Sequence, residues 1–340
     1  MEETIAITRD SAVCFGRVQN LLPRLVGSRR TIAVSDDNVA RAHAALVDAL
    51  EHVVIPAGEQ SKTLATAAQL YRAFLERDID RDSLALGIGG GVVTDLAGFV
   101  ASTYMRGIAF GFVPTTLLGM VDASIGGKNG VDFDGYKNIV GSFSQPRFVV
   151  CDTELLTTLP DREFRAGLAE IIKAAIIADA DLFATLERAT FEQLRTDTAL
   201  LDSVVAAAIR VKAQVVAADE RESGLRRCLN LGHTLAHAIE KVAPHINHGE
   251  AVAIGLHHTA EAALHHGLLD APSAKRIFVL LDRYCFHAAL PVPISALAEA
   301  MAHDKKRSGN SLRLILPTAI GSVRDCRMTL DETRKLFEKI

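Results

Sequence analysis

Two histidines four residues apart, His233 and His237, lie in Asn230-Leu-Gly-His233-Thr-Leu-Ala-His237-Ala-Ile-Glu240, and His248 follows in Asn247-His248-Gly249-Glu250. On a helix this spacing puts the first two rings on one face. Imidazole is the commonest protein ligand for metals near neutral pH, so metal chemistry is expected here. The chain has twelve histidines, however, and pairs at i,i+4 also arise by chance. The intervening Thr234, Leu235 and Ala236 suit a partly buried face, where an imidazole needs polar partners. Backbone carbonyls would serve that need as well as zinc.

A second candidate interrupts an apolar helix. In Leu168-Ala-Glu170-Ile-Ile-Lys173-Ala-Ala-Ile-Ile177 only Glu170 and Lys173 are charged. A helix apolar nearly all round is buried, and buried charges must be paired or ligating. A mutual ion pair is one reading. The sharper one is that Glu170 joins His233 and His248 on a metal, since three protein ligands and an open position make a catalytic zinc site. Two imidazoles favour zinc over magnesium.

A third pattern is the glycine cluster Gly87-Ile-Gly89-Gly90-Gly91-Val-Val-Thr-Asp95-Leu-Ala-Gly98, which follows a strand pattern and opens a helical one. Glycines let backbone approach a ligand closely, and the helix N-terminus after them favours a phosphate. The spacing is not that of G-x-G-x-x-G, so a tight strand-to-helix turn without a ligand also fits. Ser35-Asp36-Asp37-Asn38 and Pro56-Ala-Gly58-Glu59-Gln-Ser-Lys62 follow two further strand patterns. Each could cap a helix or hold a ribose at the carboxyl end of a sheet. Three such loops at one sheet edge favour a nucleotide.

Cations gather in the remaining motifs. Lys128 lies in Gly126-Gly-Lys-Asn-Gly130, Lys137 and Asn138 follow Tyr136, Arg106 follows Met105, Lys212 sits in a helical pattern, Arg226 precedes Asn230, and Lys305-Lys306 comes near the end. A single Lys or Arg is usually a solvated charge. Cations beside a metal, in a chain of net charge −4, point to an anionic substrate held by a local basic pocket.

Alternating elements must position these groups. Thr31–Val34, His52–Ile55, Leu84–Ile88, Ala109–Val113 and Phe148–Cys151 read as strands, and Asn38–Leu50 and Thr63–Arg77 have helical periodicity. This alternation predicts βαβ units with a parallel sheet, apolar on both faces. From Asp161 to about residue 290 the periodicity is helical, and a single β-like run, Arg313–Leu316, is ended by Pro317. The expected organisation is a Rossmann-like α/β domain over 1–158 and an all-α domain over 159–340.

Composition narrows the class. The 340 residues are 49% hydrophobic with mean hydropathy +0.19, enough for a large core. The negative charge gives no reason to expect nucleic acid or an anionic membrane surface. Five scattered cysteines without C-x-x-C read as reduced thiols of a cytoplasmic protein. The N-terminus lacks a signal-peptide core, and no run of 18 uncharged apolar residues suggests a membrane span.

Taken together, Gly89-Gly-Gly-Val-Val-Thr-Asp95-Leu-Ala-Gly-Phe, Pro114-Thr-Thr-Leu-Leu, Val121-Asp-Ala-Ser-Ile-Gly-Gly-Lys128, Gly167-Leu-Ala-Glu170-Ile-Ile-Lys173, Asp219-Glu-Arg-Glu-Ser-Gly-Leu-Arg226, Leu229-Asn-Leu-Gly-His-Thr234 and His248-Gly-Glu-Ala resemble the 3-dehydroquinate synthases of the sugar phosphate cyclase superfamily. The similarity runs from about residue 30 to 325. It implies an NAD-binding α/β domain, a helical domain, a site in the cleft between them and a homodimer. The implied substrate is 3-deoxy-D-arabino-heptulosonate 7-phosphate, converted to 3-dehydroquinate and phosphate in the shikimate pathway to aromatic amino acids. The implied route is transient oxidation by NAD, loss of phosphate, re-reduction and intramolecular aldol closure.

By resemblance, Glu170, His233 and His248 match the ligands of Zn2+ or Co2+. Asp36, Asn38, Glu59, Lys62, Gly90, Gly91, Asp95, Thr115, Thr116 and Asp122 match NAD contacts, with Lys128 and Lys137 placed beside them. Lys128, Lys173, Lys212, Arg226, Asn230 and His237 match the substrate pocket. Asn138 and one of Lys305 or Lys306 match phosphate contacts, and Arg106 matches a residue reaching the phosphate from a neighbouring subunit. Thr94 stands where the family often has a smaller residue, which could alter how the glycine turn meets a pyrophosphate, and the wording Asp134-Gly-Tyr136-Lys137 also departs from the family's. The rivals are a cyclase acting on sedoheptulose 7-phosphate or glucose 6-phosphate, a metal-dependent polyol dehydrogenase, and a non-catalytic binding protein.

Overall fold

The computed structural model describes residues 3–294, 296–297, 300–301 and 311–338. The chain forms two compact units, one of Met1–Phe164 with Lys212–Arg221 and one of Arg165–Val211 with Glu222–Ile340.

The first unit is built on a seven-stranded sheet in the order β1-β2-β9-β6-β5-β3-β4. Its strands are β1 (Glu3–Thr8), β2 (Ser11–Phe15), β3 (Thr31–Asp36), β4 (Glu51–Ile55), β5 (Leu84–Gly89), β6 (Ala109–Pro114) and β9 (Phe148–Cys151). β1 and β2 pair antiparallel, and the other pairings are parallel. Every residue of β5 is buried, as a strand covered on both faces requires. Each fully buried Leu or Ile there contributes about 1.5–3 kcal/mol.

Strand order reverses between β3 and β5, since β4 lies to one side and β6 to the other. The carboxyl ends flanking such a switch are where α/β sheets bind ligands. β3 leads into the short helix Asp37–Ala42, β4 into a 3-10 turn at Glu59–Ser61, and β5 into α5 (Gly91–Thr103). The predicted helix over Asn38–Leu50 is two pieces, broken at His43, whose ring engages the Thr158 hydroxyl.

Two features go beyond the elements expected from sequence. The hairpin β1–β2 adds the antiparallel edge. Strands β7 (Lys128–Phe133) and β8 (Tyr136–Phe143) form a separate antiparallel ribbon, turning at Asp134 and Gly135, both with positive φ. Asp-Gly is the hairpin signal for such a turn.

The second unit is mainly helical. Its elements include α6 (Asp161–Ala178), whose first residues belong to the other unit, most of α9 (Thr198–Ala218), α10 (His233–Val242), α11 (His248–His265) and α12 (Ala271–Arg283). It also carries an antiparallel hairpin, β10 (Ser311–Ala319) with β11 (Ser322–Thr329). The strand does not end at Pro317, which pairs opposite Val323. A two-stranded sheet has only edge strands, which tolerate a missing donor. No helix among the described residues is long and apolar enough to cross a membrane.

Candidate active site

Local sequence starts both histidine-bearing helices at the ligand candidates. Gly232, with φ 77°, takes the left-handed conformation before α10, so His233 is that helix's first residue. Asn247 caps α11: its side chain accepts from the Glu250 N–H while the Glu250 carboxylate accepts from the Asn247 N–H, both at 2.9 Å. This reciprocal cap is worth about 1 kcal/mol and makes His248 the first residue of α11.

Glycines then set how close the helices come. A Cβ on Gly249 would lie 2.1 Å from the Ala166 Cα, and one on Gly255 would lie 2.2 Å from the Gly232 carbonyl oxygen. Backbone therefore touches backbone between α11 and α6, and between α11 and the residue that starts α10. These approaches draw Glu170, His233 and His248 into one cluster, each offering a ligand atom within 4.8 Å of the others.

The spacing from Glu170 to each histidine suits a tetrahedral metal. The Nε2 atoms of His233 and His248 lie 3.6 and 3.3 Å from Glu170 Oε1. Ligands about 2.0–2.1 Å from a tetrahedral ion stand about 3.4 Å apart. The His233 Nδ1 atom lies 3.1 Å from the Leu231 carbonyl, which leaves Nε2 free of a proton for coordination. The second Glu170 oxygen contacts the Lys173 ammonium.

Charge in the cluster agrees. Burial, with Lys173 nearby, holds the His233 imidazole down at about 3. Burial alone would lower His248 too, but hydrogen bonds to Glu170 and Glu240 outweigh it and push the ring up to about 10. A protonated His248 and Lys173 thus balance buried carboxylates where a divalent cation would do the same. One Glu170 oxygen pairs with Lys173, as the ion-pair reading expects, and the other faces the histidines.

The remaining second-unit candidates are arranged around different partners. Arg226 is 3% exposed. Asn230 donates from Nδ2 to Glu222 Oε1 at 2.6 Å, and Glu222 holds φ 59°. Glu222 lies inside the Asp219–Arg226 motif but was not among the residues expected at the site. His237 is exposed, its ring edge-on to His233 at 5.4 Å, so the pair shares a face while only one joins the cluster. Lys305 and Lys306 lie outside the described residues.

In the first unit the nucleotide candidates collect at the carboxyl ends of β3, β4, β5 and β6. Gly90 and Gly91 open α5 without a side-chain cap, leaving first-turn N–H groups for an anion. Thr115 donates its N–H to the Gly89 carbonyl at 2.9 Å, and the Thr116 hydroxyl accepts from the Gly119 N–H at 3.0 Å. Asp36 Oδ1 accepts from the Asn38 and Val39 N–H groups, so the capping reading of this loop is realised. Asn38 in turn accepts from Arg41. Thr94 is buried and donates to the Gly91 carbonyl at 3.1 Å, so its extra bulk turns into the fold and away from the glycine turn's open side.

Lys62 is buried, with Asp95 at 2.7 Å and Glu59 at 3.5 Å. Burial pushes the Asp95 carboxyl up to about 6 against the pull of Lys62, so the pair is ionic at neutral pH. Asp122 sits in a π-helical turn, Gly119–Ala123, a distortion common at functional sites. Lys212 donates to the Asp122 carbonyl at 2.7 Å and also contacts its carboxylate. Lys128, Lys137 and Asn138 are exposed on the β7–β8 ribbon. Asn138 has φ 52° and Arg106 has φ 67°, left-handed values that are uncommon outside glycine.

Comparison with known proteins bears on the family and the fold. Residues 52–166 match the family described as 3-dehydroquinate synthase N-terminal, and residues 167–307 match 3-dehydroquinate synthase C-terminal. A 3-dehydroquinate synthase of Geobacter metallireducens is 46% identical over 272 residues, covering 79% of this chain and 76% of its own. That of Halorhodospira halophila is 42% identical over 310 residues, covering 89% and 88%. Among solved structures, a 2-epi-5-epi-valiolone synthase from Streptomyces hygroscopicus subsp. jinggangensis 5008, with NAD+ and Zn2+ bound, superposes with TM-score 0.88 at 28% identity over 100% of this chain and 97% of its own. A 2-deoxy-scyllo-inosose synthase, complexed with carbaglucose-6-phosphate, NAD+ and Co2+, shares the fold with TM-score 0.88 at 24% identity over 99% of this chain and 100% of its own.

Proposed function

The chain belongs to the 3-dehydroquinate synthase family, and from that premise we propose that it converts 3-deoxy-D-arabino-heptulosonate 7-phosphate into 3-dehydroquinate and phosphate. The observation that carries the reading is the convergence of Glu170, His233 and His248, their ligand atoms within 4.8 Å of one another, in a chain of this family. Glu170, His233 and His248 would hold Zn2+ or Co2+, which would supply polarisation of a substrate hydroxyl, and the glycine turn at Gly90 and Gly91 would hold NAD, which would supply reversible hydride acceptance.

The chain's own groups hold and orient. Glu170 Oε1, His233 and His248 form the metal seat, and Lys173 keeps the carboxylate turned toward it. The first turn of α5 at Gly90 and Gly91 receives the pyrophosphate, with Asp36, Asn38, Glu59, Lys62, Asp95, Thr115, Thr116, Asp122 and Lys137 along the dinucleotide. Lys128, Lys173, Lys212, Asn230 and His237 bind substrate, Asn138 takes the phosphate, and Lys305 is assigned there too. Buried Arg226 suits a carboxylate, which its planar fork can hold bidentately. That favours the acid over sedoheptulose 7-phosphate, which has no carboxylate. Orientation by these cations supplies most of what the protein adds. A biosynthetic enzyme of this kind belongs in the cytoplasm.

With NAD and zinc, the protein is expected to release phosphate from the heptulosonate phosphate, with little release from sedoheptulose 7-phosphate and no net NADH. Parallel phosphate assays with absorbance at the NADH band decide it. Steady NADH accumulation would indicate a dehydrogenase, and preference for sedoheptulose 7-phosphate a different cyclase.

The same reading places two copies together. Phe133, Tyr136, Ile139 and Phe143 on the β7–β8 ribbon are each 47–53% exposed, an apolar surface of the kind homodimers cover. Ser102 at the end of α5 bonds Ser142 on this ribbon at 2.7 Å, and exposed Arg106 follows shortly after. Arg106 is assigned to the partner copy's phosphate. Arg106→Ala and His248→Ala proteins, each inactive alone, are then expected to recover about a quarter of wild-type activity when unfolded together and refolded, because mixed dimers hold one intact site. Absence of recovery, in mixtures shown to contain mixed dimers, would place Arg106 in its own subunit's site.

A further inference from the structure

The metal seat has a supporting group that neither the family motifs nor the residue spacing had marked. Glu240 lies on α10 two helical turns beyond His233, hence on the same face. Its side chain is 8% exposed, and its Oε2 atom lies 3.5 Å from His248 Nδ1. The other ring nitrogen, Nε2, faces Glu170. His248 is thus held between two carboxylates, one on each nitrogen.

A neutral imidazole can offer only one nitrogen to a metal, and the other must carry the proton. An acceptor fixed at Nδ1 decides which is which. Glu240 stands on the Nδ1 side of the ring, away from the cluster of ligand atoms, so it orients a ligand without being one. We propose that Glu240 is a positioning residue for the metal, holding the His248 proton on Nδ1 and aiming Nε2 at the ion. α10 then serves the seat twice, through His233 as ligand and through Glu240 as the orienter of a ligand on α11. A buried carboxylate on a helix is costly unless such a partner uses it.

The inference rests on the assignment of the Glu170–His233–His248 seat. Zinc affinity, measured by chelator competition on the full-length protein, separates the two. If wild type binds no zinc tightly, the seat itself is wrong. If it does, Glu240→Ala is expected to weaken binding by about 10–100-fold. Glu240→Gln, which keeps an oxygen acceptor of the same reach, is expected to recover most of that loss. Nitrogen-15 NMR of the zinc-loaded wild type is expected to show His248 protonated at Nδ1 and ligating through Nε2, a readout that needs no variant to fold. Ligation through Nδ1, unchanged affinity in Glu240→Ala, or a Gln variant no better than Ala would overturn the role.

Discussion

Glu170→Ala and His248→Ala are both expected to abolish metal binding, and Glu170→Ala is expected to destabilise the metal-free protein more than His248→Ala does. Glu170 and Lys173 are 3% and 4% exposed. Removing the carboxylate leaves a buried ammonium without the anion it contacts, which typically costs about 3–5 kcal/mol. The His248 side chain is 28% exposed, so water replaces much of what its loss removes. Both variants lose a ligand of the seat, and with it the polarisation on which phosphate release depends. Zinc content by elemental analysis, with urea unfolding of chelator-treated protein, tests the pair. Wild-type zinc content in either variant would contradict the triad. Equal unfolding midpoints for the two would contradict the account of Lys173.

Gly249→Ala is expected to cost about 3 kcal/mol and to lower zinc occupancy, although Ala is the better helix former. Propensity alone would favour Ala over Gly by about 1 kcal/mol in a helix. The new methyl would sit 2.1 Å from the Ala166 Cα and 2.5 Å from its carbonyl oxygen, where no side-chain rotation can make room. Overpacking of this kind costs about 1–3 kcal/mol or more. It would also push α11, with His248, away from α6, with Glu170. Gly267→Ala is the control. Its Cβ would meet nothing within 4 Å, although its φ is +67°, so only backbone strain of about 1–2 kcal/mol applies. Stability and zinc content measured on both variants separate packing from strain. A Gly249→Ala protein as stable as wild type would show that the helices are not held at backbone contact.

Much of the site was legible because its signals are local. The Asn247–Glu250 box fixes a helix start within four residues. Glu170 stands out because an apolar helix tolerates a charge only for a reason. Loops after β3, β4 and β5 announce themselves by Gly, Asp and Ser following apolar strands. The β7–β8 ribbon carries an equally local signal in Asp134-Gly135, a dipeptide suited to its turn. The strand runs on through Pro317 because proline is disfavoured in central strands, and a two-stranded sheet has none.

Other relations have no local signature. Glu240 and Glu222 gain meaning only through His248 and Asn230. Lys212 reads as one more helix cation until its ammonium is found on Asp122, in the unit to which the end of α9 belongs.

By itself the sequence determined the chemistry available, meaning the ligand types, the glycine turn, the cations and the family whose motifs combine them. Each is a matter of residue type within a few positions. Spacing alone left open which of the two histidines joins Glu170 and His248; the family resemblance implied His233, and only the tertiary structure supplies the packing that brings it there. His233 and His237 are equivalent by spacing, but only His233 stands at the start of α10, where Gly232 meets Gly255 and backbone contact brings Glu170 and His248 within reach. Ligand geometry depends on distances between helices, and those are set by packing that no single stretch of chain encodes.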